Sequence, residues 1–236
     1  KMVNIAAHEA WRIEQKFSRY RSDSVLYTIN NSSGKAVSVD AETAHLINFA
    51  YQCYQLSDGL FDISSGILRK AWNFDGSNKL PSEKDIEALL PLIGLDKANW
   101  SPPLFTLPKG MQIDFGGIGK EYAVDRTLML LQNHHDIPVL VNFGGDIMTN
   151  RCQPNSPWLI GVENPEKADS SAELLQVRSG GLATSGGTRR YIIHNGQRYS
   201  HVLNPLTGWP VESPPLSVTV AAENCTLAGM LATYAM

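Results

Sequence analysis

The spacing of apolar residues predicts a series of helices, most of them in the first half of the chain. An amphipathic pattern runs through the opening segment KMVNIAAHEAWRIEQKFSRY. A second pattern predicts a helix that stops at Gly59. Its apolar face consists of Leu46, Ile47, Ala50, Cys53 and Tyr54. SEKDIEALLPLIG starts with the capping-box spacing of Ser82 and Asp85. KEYAVDRTLMLLQNHH predicts a further helix, and the closing ENCTLAGMLATYAM one of small, apolar residues.

Strand patterns dominate the second half of the chain. Short β-branched runs bounded by Gly, Asn and Pro occur in PVLVNFGG, WLIGVEN, LLQVRSG and LSVTVAA. RRYIIHNGQRYSHVL predicts a hairpin with its turn at Asn195-Gly196. Because helices and strands do not alternate regularly, we predict an α+β fold with mixed or antiparallel sheets and packed helices.

Composition and charge narrow the classes of function. The 236 residues carry a net charge of −3, and no long basic run occurs, so we expect no nucleic-acid partner. No apolar run is long enough to span a bilayer. Charged residues interrupt the opening segment, which therefore does not resemble a signal peptide. Because both ends read as interrupted helices, we expect the sequence to be part of a longer chain.

The three cysteines predict neither a disulfide framework nor a zinc site. Cys53, Cys152 and Cys225 are far apart and lack CxxC spacing. Cys53 lies on the apolar stripe of a predicted helix, so we expect it in the core.

Two glycine-rich stretches follow predicted strands. IDFGGIGKEYAVD (113–125) predicts a strand end, a glycine turn and a helix start, where backbone N–H groups can bind phosphate. A plain β-to-α turn is the alternative. VNFGGDIMTN (141–150) places Asp146 after two glycines, either as a ligand carboxylate or as a turn former.

Two further stretches carry hydroxyl, basic and histidine side chains. SGGLATSGGTRRY (179–191) sets Thr184, Ser185 and Thr188 before two arginines, which suits an anionic or planar ligand. It lacks the GxSxG pattern of a hydrolase nucleophile. SHVLNPLTGWPV (200–211) places His201 beside turn residues, as a catalytic candidate or as a structural histidine.

Together and in this order, these stretches resemble the ApbE family of flavin transferases. The family runs IDLGGIAKGYAVD, NxGGDI, ATSGxxxR, SHIIDPxTGxPV and SVTVxA correspond to 113–125, 142–147, 183–190, 200–211 and 217–222. FSRYRSDSVLYTIN and SDGLFDISSGIL are similar to the family's SxYxxDSxLxxLN and SxGxFDxTxGPL. The similarity extends from about Phe17 to the end of the chain.

The resemblance implies a fold, a reaction and partners. It implies one ApbE-like domain over 1–236, without the family's N-terminal strand and C-terminal end, and an FAD cleft between sheets and helices. The implied enzyme transfers FMN from FAD to a threonine of a target flavoprotein, releases AMP and uses Mg²⁺. Relatives are exported, often as lipoproteins, which implies a periplasmic or inner-membrane location. Any lipoprotein anchor is not present in this chain.

The resemblance also assigns residues. It implies FAD contacts at Tyr20, Leu60, Phe61, Asp62, Asp114, Lys120, Leu203 and Ala232. It implies a metal site at Gly117, Gly229 and Thr233, and His201 is the candidate catalytic base or orienting group.

The chain departs from the family pattern at the metal site. The family's last helix carries ADxLxT, whose Asp and Thr share one helix face and bind magnesium. This chain has Gly229 at the Asp position and keeps Thr233. Since Mg²⁺ is usually held through one or two carboxylates, we expect weaker metal binding. A second departure is Asn204 where the family has Asp.

Three functions therefore remain open from the sequence. The first is an FAD:protein FMN transferase impaired by the loss at Gly229. The second is an FAD-binding protein without transferase activity. The third is a Mg²⁺-dependent FAD pyrophosphatase, which releases free FMN and AMP.

Overall fold

The computed structural model describes residues 1–75, 79–165, 167, 170–187 and 190–236. Within these residues the chain forms six α-helices: α1 (Met2–Phe17), α2 (Val25–Asn30), α3 (Ala41–Leu56), α4 (Glu83–Leu89), α5 (Gly119–His134) and α6 (Cys225–Tyr234). Three 3₁₀ segments lie at Ile63–Lys70, Leu90–Leu92 and Leu95–Lys97.

Eleven short strands complete the described part of the chain. They are β1 (Ala36–Ser38), β2 (Asn99–Ser101), β3 (Leu104–Thr106), β4 (Leu140–Phe143), β5 (Asp146–Thr149), β6 (Trp158–Glu163), β7 (Ser171–Val177), β8 (Gly180–Gly186), β9 (Tyr191–His194), β10 (Gln197–Ser200) and β11 (Ser217–Ala222). The predicted helices and the predicted hairpin at Asn195-Gly196 are confirmed.

Side-chain caps explain where several helices begin. Asp40 accepts a hydrogen bond from the Thr43 backbone N–H at the start of α3. The predicted capping box of Ser82 and Asp85 is present at the start of α4. Asn224 accepts from the Leu227 N–H at the start of α6. Each cap satisfies a backbone donor that the first turn leaves unpaired.

Contacts divide the chain into two compact units, each described here by itself. The first unit comprises Lys1–Glu14, Gly117–Thr188 and Pro215–Met236, and the second comprises Gln15–Gly116 and Arg189–Pro214. The assignment of the whole chain to one domain stays a prediction.

The first unit is built on an antiparallel sheet of order β11-β8-β5-β4. Helices α5 and α6 pack against it around one apolar cluster: Val124, Leu128, Leu131, Val139, Val141, Ala183, Cys225 and Ala228. The hairpin β6-β7 covers a second cluster, made by Ile147, Ile160 and Leu182. This packing fixes the start of β5 and the start of α5, where the polar residues of the site lie.

The second unit combines a small sheet of order β1-β3-β2 with the hairpin β9-β10 and several helices. One of its apolar clusters surrounds Trp72 and includes Ile67, Leu68, Ile86, Ile93 and Ile192. The Trp72 indole N–H donates to the Gly208 carbonyl at 2.8 Å. That hydrogen bond holds the predicted turn after His201 against the core.

One expectation about the glycine-rich stretches needs correction. No strand leads directly into Asp114: the backbone at 111–115 is irregular, and the Asp114 N–H donates to the Ile63 carbonyl instead. The stretch that contains Thr184 and Ser185, for which no element was predicted, forms part of β8. Among the helices that the structure describes, none combines the length and apolar character needed to cross a bilayer.

Candidate functional site

A turn of two glycines positions the first candidate carboxylate. Gly144 and Gly145 connect β4 to β5 with φ of +64° and +100°, a region that glycine adopts without strain. The Asn142 amide oxygen accepts from the Gly145 N–H at 2.8 Å. Asp146 follows directly and begins β5. The turn therefore places an acidic side chain at the end of the central sheet.

Asp146 is buried, with 2% of its surface exposed, and acts as more than a turn former. Its Oδ2 lies 2.5 Å from the Nζ of Lys120, and its Oδ1 accepts from the Thr184 N–H at 3.3 Å. The first glycine-rich stretch thus supplies a cation, and the second supplies its carboxylate partner. Lys120 is half exposed, so its ammonium group remains accessible to a ligand.

Glu121 is a second buried carboxyl group in the same unit. It lies in the first turn of α5, with 8% of its surface exposed. Its Oε2 has no hydrogen-bond partner among the residues that the structure describes. Burial, and then the adjacent Asp146 carboxyl, raise the pKa of Glu121. A buried carboxyl without compensating donors favours its neutral form unless a cation joins it.

Glu121 lies against the glycine that replaces the family's aspartate. A Cβ atom built on Gly229 would stand 2.5 Å from the Glu121 Cγ and 3.2 Å from its Oε1. The expectation of weaker metal binding rests on α6 alone and stays a prediction. A carboxyl group is present beside Gly229, but α5 supplies it rather than α6.

Asp125 fixes α6 in register with α5. Its carboxylate accepts from the backbone N–H groups of Cys225 and Thr226, both at 2.8 Å, and from the Thr226 hydroxyl at 2.5 Å. Glu121 lies one turn before Asp125, and Gly229 one turn after Cys225. The anchored start of α6 thus brings Gly229 to Glu121.

The predicted metal ligand Thr233 lies one turn beyond Gly229 on α6. Its hydroxyl is 2.9 Å from the hydroxyl of Ser185 on β8. Ala232, the neighbouring FAD position by resemblance, is fully buried. Gly117, the third metal position, lies in the turn before α5. Hydroxyl and carboxyl oxygens are ligands that Mg²⁺ accepts.

A search for groups of three or more His, Cys, Asp or Glu side chains that could hold a metal finds none in the described ranges. The arrangement around Glu121 does not need such a group. Mg²⁺ is commonly bound by one or two carboxylates, with waters and phosphates as the remaining ligands. The oxygens of Glu121, Asp146 and Thr233 therefore fit this ion.

The second unit brings together Tyr20 and Asp114. The Tyr20 ring is 79% exposed, and its hydroxyl accepts from Arg69 at 3.4 Å. Asp114 pairs with Arg19 at 2.9 Å and with Arg69 at 3.5 Å. Because the two arginines span both residues, this cluster offers an open aromatic face beside cations.

The segment Leu60–Asp62 of the second unit is divided in its exposure. Leu60 is 43% exposed, whereas Phe61 and Asp62 are buried. Asp62 accepts from the backbone N–H groups of Ser64 at 2.7 Å and Leu95 at 3.2 Å. Its side chain therefore stabilises the local fold, and burial raises its pKa despite these donors.

His201 follows the β9-β10 hairpin, as predicted. Its Nδ1 lies 3.2 Å from the Arg190 carbonyl oxygen. Its ring lies edge-on to that of Phe74, with 6.3 Å between the ring centroids. Burial lowers its pKa, so the imidazole is held in its neutral form near pH 7. Leu203 pairs with Pro210 in an isolated bridge just beyond it. Thr188 and Arg189 of the third stretch lie outside the described residues.

Sequence reasoning missed Glu121 as a site residue. The signal was present, since the family run IAKGYAVD has Gly where this chain has Glu121. The link between Glu121 and Gly229, which lie more than 100 residues apart, becomes visible only from the packing of α5 against α6.

Comparisons with known proteins agree with this picture. A model of the ApbE family matches residues 3–236. The FAD:protein FMN transferase of Vibrio cholerae is 28% identical over 95% of this chain and 69% of its own length. The FAD:protein FMN transferase of Klebsiella pneumoniae is 32% identical over 94% of this chain and 74% of its own.

Solved structures confirm the predicted α+β fold. The ApbE protein of Thermotoga maritima superposes with a TM-score of 0.91 at 34% identity, over 99% of this chain and 77% of that one. The apo flavinyl transferase ApbE of Pseudomonas stutzeri superposes with a TM-score of 0.87 at 28% identity, over 99% of this chain and 74% of that one. Since the family model spans the described elements from α1 to α6, this chain belongs to the ApbE family.

Proposed function

We propose that this chain is an FAD:protein FMN transferase, which moves FMN from FAD to a threonine hydroxyl of a target flavoprotein and releases AMP. The observation that carries this proposal is the match to two proteins of that name over 95% and 94% of the chain. Its partners are accordingly FAD and a flavoprotein that carries the acceptor threonine.

The reaction is a substitution at phosphorus and needs no oxidant or reductant. The threonine oxygen forms a bond to the FMN phosphorus, and the bond from that phosphorus to the bridging oxygen of AMP breaks. AMP leaves with the electron pair, and the hydroxyl proton passes to a base. The protein must therefore position two oxygens and stabilise negative charge on the leaving phosphate.

The glycine turn beside Asp146 suits a close approach by the ligand. Cβ atoms added at Gly144 and Gly145 would meet nothing within 4 Å. The backbone is therefore open on this side, while Lys120 offers a half-exposed ammonium group nearby. An open backbone and a nearby cation together favour the approach of phosphate oxygens.

We further propose that Mg²⁺ assists the reaction at the first unit. Glu121, Asp146 and Thr233 would hold it, as the unpartnered Oε2 of Glu121 suggests. When bound, the ion would neutralise charge on the phosphates that separate. Asp125 would keep α6 in place, so that Thr233 stays beside Ser185.

His201 is proposed as the base or orienting group, in line with its lowered pKa. A neutral imidazole can accept the hydroxyl proton. With Nδ1 engaged at the Arg190 carbonyl, Nε2 is the nitrogen left to accept it.

The test is a flavinylation assay. The purified chain is mixed with FAD, Mg²⁺ and a target flavoprotein subunit, and the target is examined for a fluorescent flavin band after denaturing electrophoresis. A band that disappears when the acceptor threonine is replaced by alanine supports the proposal. Absence of the band, with AMP still released, would contradict it and favour an FAD pyrophosphatase. FAD binding without AMP release would indicate a binding protein.

A location outside the cytoplasm is proposed from the resemblance alone. It is tested by fractionating cells that express the gene from its natural start, with detection by antibody. Recovery of the protein in the cytosolic fraction would contradict the proposal.

A further inference from the structure

We propose that Glu121 of α5 takes the place of the metal-binding aspartate that the family carries on its last helix. The carboxylate has moved from one helix to its neighbour, while the space that it occupies has stayed the same. This inference rests on the proposed function, since it assigns one ligand of the proposed Mg²⁺ site.

The first support is the overlap of the two side chains. A Cβ on Gly229 would lie 2.5 Å from the Cγ and 3.0 Å from the Cδ of Glu121. A contact of 2.5 Å is essentially never seen for a real Cβ, so the Glu121 side chain would have to shift if residue 229 were an aspartate. The Glu121 side chain therefore fills the volume into which an aspartate at 229 would project.

The second support is the anchored register of the two helices. Asp125 binds the N-terminus of α6 through two backbone N–H groups. One turn back along α5 and one turn forward along α6 lead to Glu121 and Gly229, respectively. The contact between these two residues therefore follows from the helix packing and does not depend on a flexible loop.

The third support is the state of the Glu121 carboxyl group. It is more than nine-tenths buried, and its Oε2 has no partner in the described part of the chain. The side-chain partner of this carboxyl group is a second carboxyl, that of Asp146, and burying the two together is costly. A cation that binds between Glu121 and Asp146 would supply the missing partner.

The fourth support is that the two sequence changes are reciprocal. The family pattern has Gly at position 121 and Asp at position 229, whereas this chain has Glu at 121 and Gly at 229. The change at 121 adds a side chain with a carboxylate, and the change at 229 removes a side chain with a carboxylate. Neither the charge of the site nor its packed volume changes greatly.

The experiment measures metal binding directly, without turnover. Mn²⁺ replaces Mg²⁺ as the probe, and free Mn²⁺ is followed by electron paramagnetic resonance in the presence and absence of FAD. Glu121→Gln keeps the shape of the side chain and removes its charge. Glu173→Gln, on the exposed face of β7, is the matched control. The swap Glu121→Gly with Gly229→Asp restores the family arrangement.

We expect Glu121→Gln to weaken Mn²⁺ binding by about tenfold or more, because a hard cation loses a charged ligand. Glu173→Gln is expected to bind as the unchanged protein does, and the swap to recover its affinity within about threefold. Equal affinity of Glu121→Gln and the unchanged protein overturns the inference, and so does absence of Mn²⁺ binding in the unchanged protein with FAD. If Glu121→Gln does not fold, the swap decides: retained affinity supports the inference, and lost affinity overturns it.

These outcomes are separable from the fate of the proposed function. If flavinylation is observed but Mn²⁺ binding does not depend on Glu121, Glu121 is not a metal ligand and the proposed transferase function stands. If Mn²⁺ binding depends on Glu121 but no target is flavinylated, Glu121 is a metal ligand and the proposed transferase function is wrong.

Discussion

The Asp125 carboxylate receives two hydrogen bonds from Thr226, one from its backbone N–H at 2.8 Å and one from its hydroxyl at 2.5 Å. A carboxylate at the N-terminus of a helix satisfies unpaired donors and interacts favourably with the helix dipole. Through this pair, α5 sets the position of every residue on α6 that the proposed site uses.

Replacing Asp125 with alanine should therefore destabilise the first unit. Loss of a partly buried, charge-assisted acceptor is expected to lower the free energy of unfolding by about 2–3 kcal/mol. Urea denaturation followed by circular dichroism measures the change. Asp136→Asn is the control, because its ion pair with Arg151 is exposed and should contribute less than about 1 kcal/mol. Equal effects of both variants would contradict the role of Asp125.

The single change Gly229→Asp should destabilise the protein rather than repair it. The new side chain meets Glu121 and brings a second carboxylate into a buried space. Overpacking of this kind costs about 1–3 kcal/mol. In a double-mutant cycle with Glu121→Gly, the two changes should show a favourable coupling of about 1 kcal/mol or more. Additive effects in urea denaturation would mean that the two residues do not compete for space.

The pH dependence of stability should reveal Glu121 in the metal-free protein. Burial and the Asp146 carboxyl raise the pKa of Glu121 from 4.5 to about 8. The folded state therefore keeps a proton that the unfolded state releases. The stability that Glu121 contributes is fully present below its pKa in the unfolded state. It is lost as the pH rises through its pKa in the folded state.

The measurement compares unchanged protein and Glu121→Gln by urea denaturation in EDTA. Relative to the variant, the unchanged protein should lose stability steadily between roughly pH 5 and pH 8. Parallel curves over this range would show that Glu121 does not titrate there.

Thiol reactivity should distinguish the three cysteines. Cys53 and Cys225 are buried, and burial raises the pKa of both thiols, that of Cys53 to about 12. Cys152 is only partly buried. Near neutral pH, a disulfide reagent should react rapidly with one thiol in the native protein and with all three after denaturation. Cys152→Ser should remove the rapid phase, and a rapid phase that persists would mean that another thiol is open.

The sequence predicted most elements because their signals are local. Periodic apolar residues, the Ser82 capping box and the Asn195-Gly196 turn each depend on neighbours within a few positions. The expected strand before Asp114 failed because its pairing partner is a single carbonyl, that of Ile63, far away in the chain. Strand β8 was not predicted because its glycines hide the strand pattern, while pairing with β5 and β11 decides its structure.

Motifs supplied candidates for the site, whose roles stay predictions, but they did not supply a candidate that depends on packing. His201 was named from its own stretch, and Lys120 and Thr233 were named through the resemblance to the family. Glu121 could not be named in either way, because its relevance comes from a contact with a residue on another helix. Asp125, which creates that contact, was named only as the end of a motif.

The overlap of Glu121 with Gly229 also bears on how a chain could pass between the two arrangements. Adding the glutamate first places two carboxylates in one space, and removing the aspartate first leaves the charge missing. Under the proposed metal site, each single step would therefore give a protein that is either overcrowded or weaker in metal binding. Residues 121 and 229 would therefore have to be substituted together, and single substitutions would not easily convert one arrangement into the other.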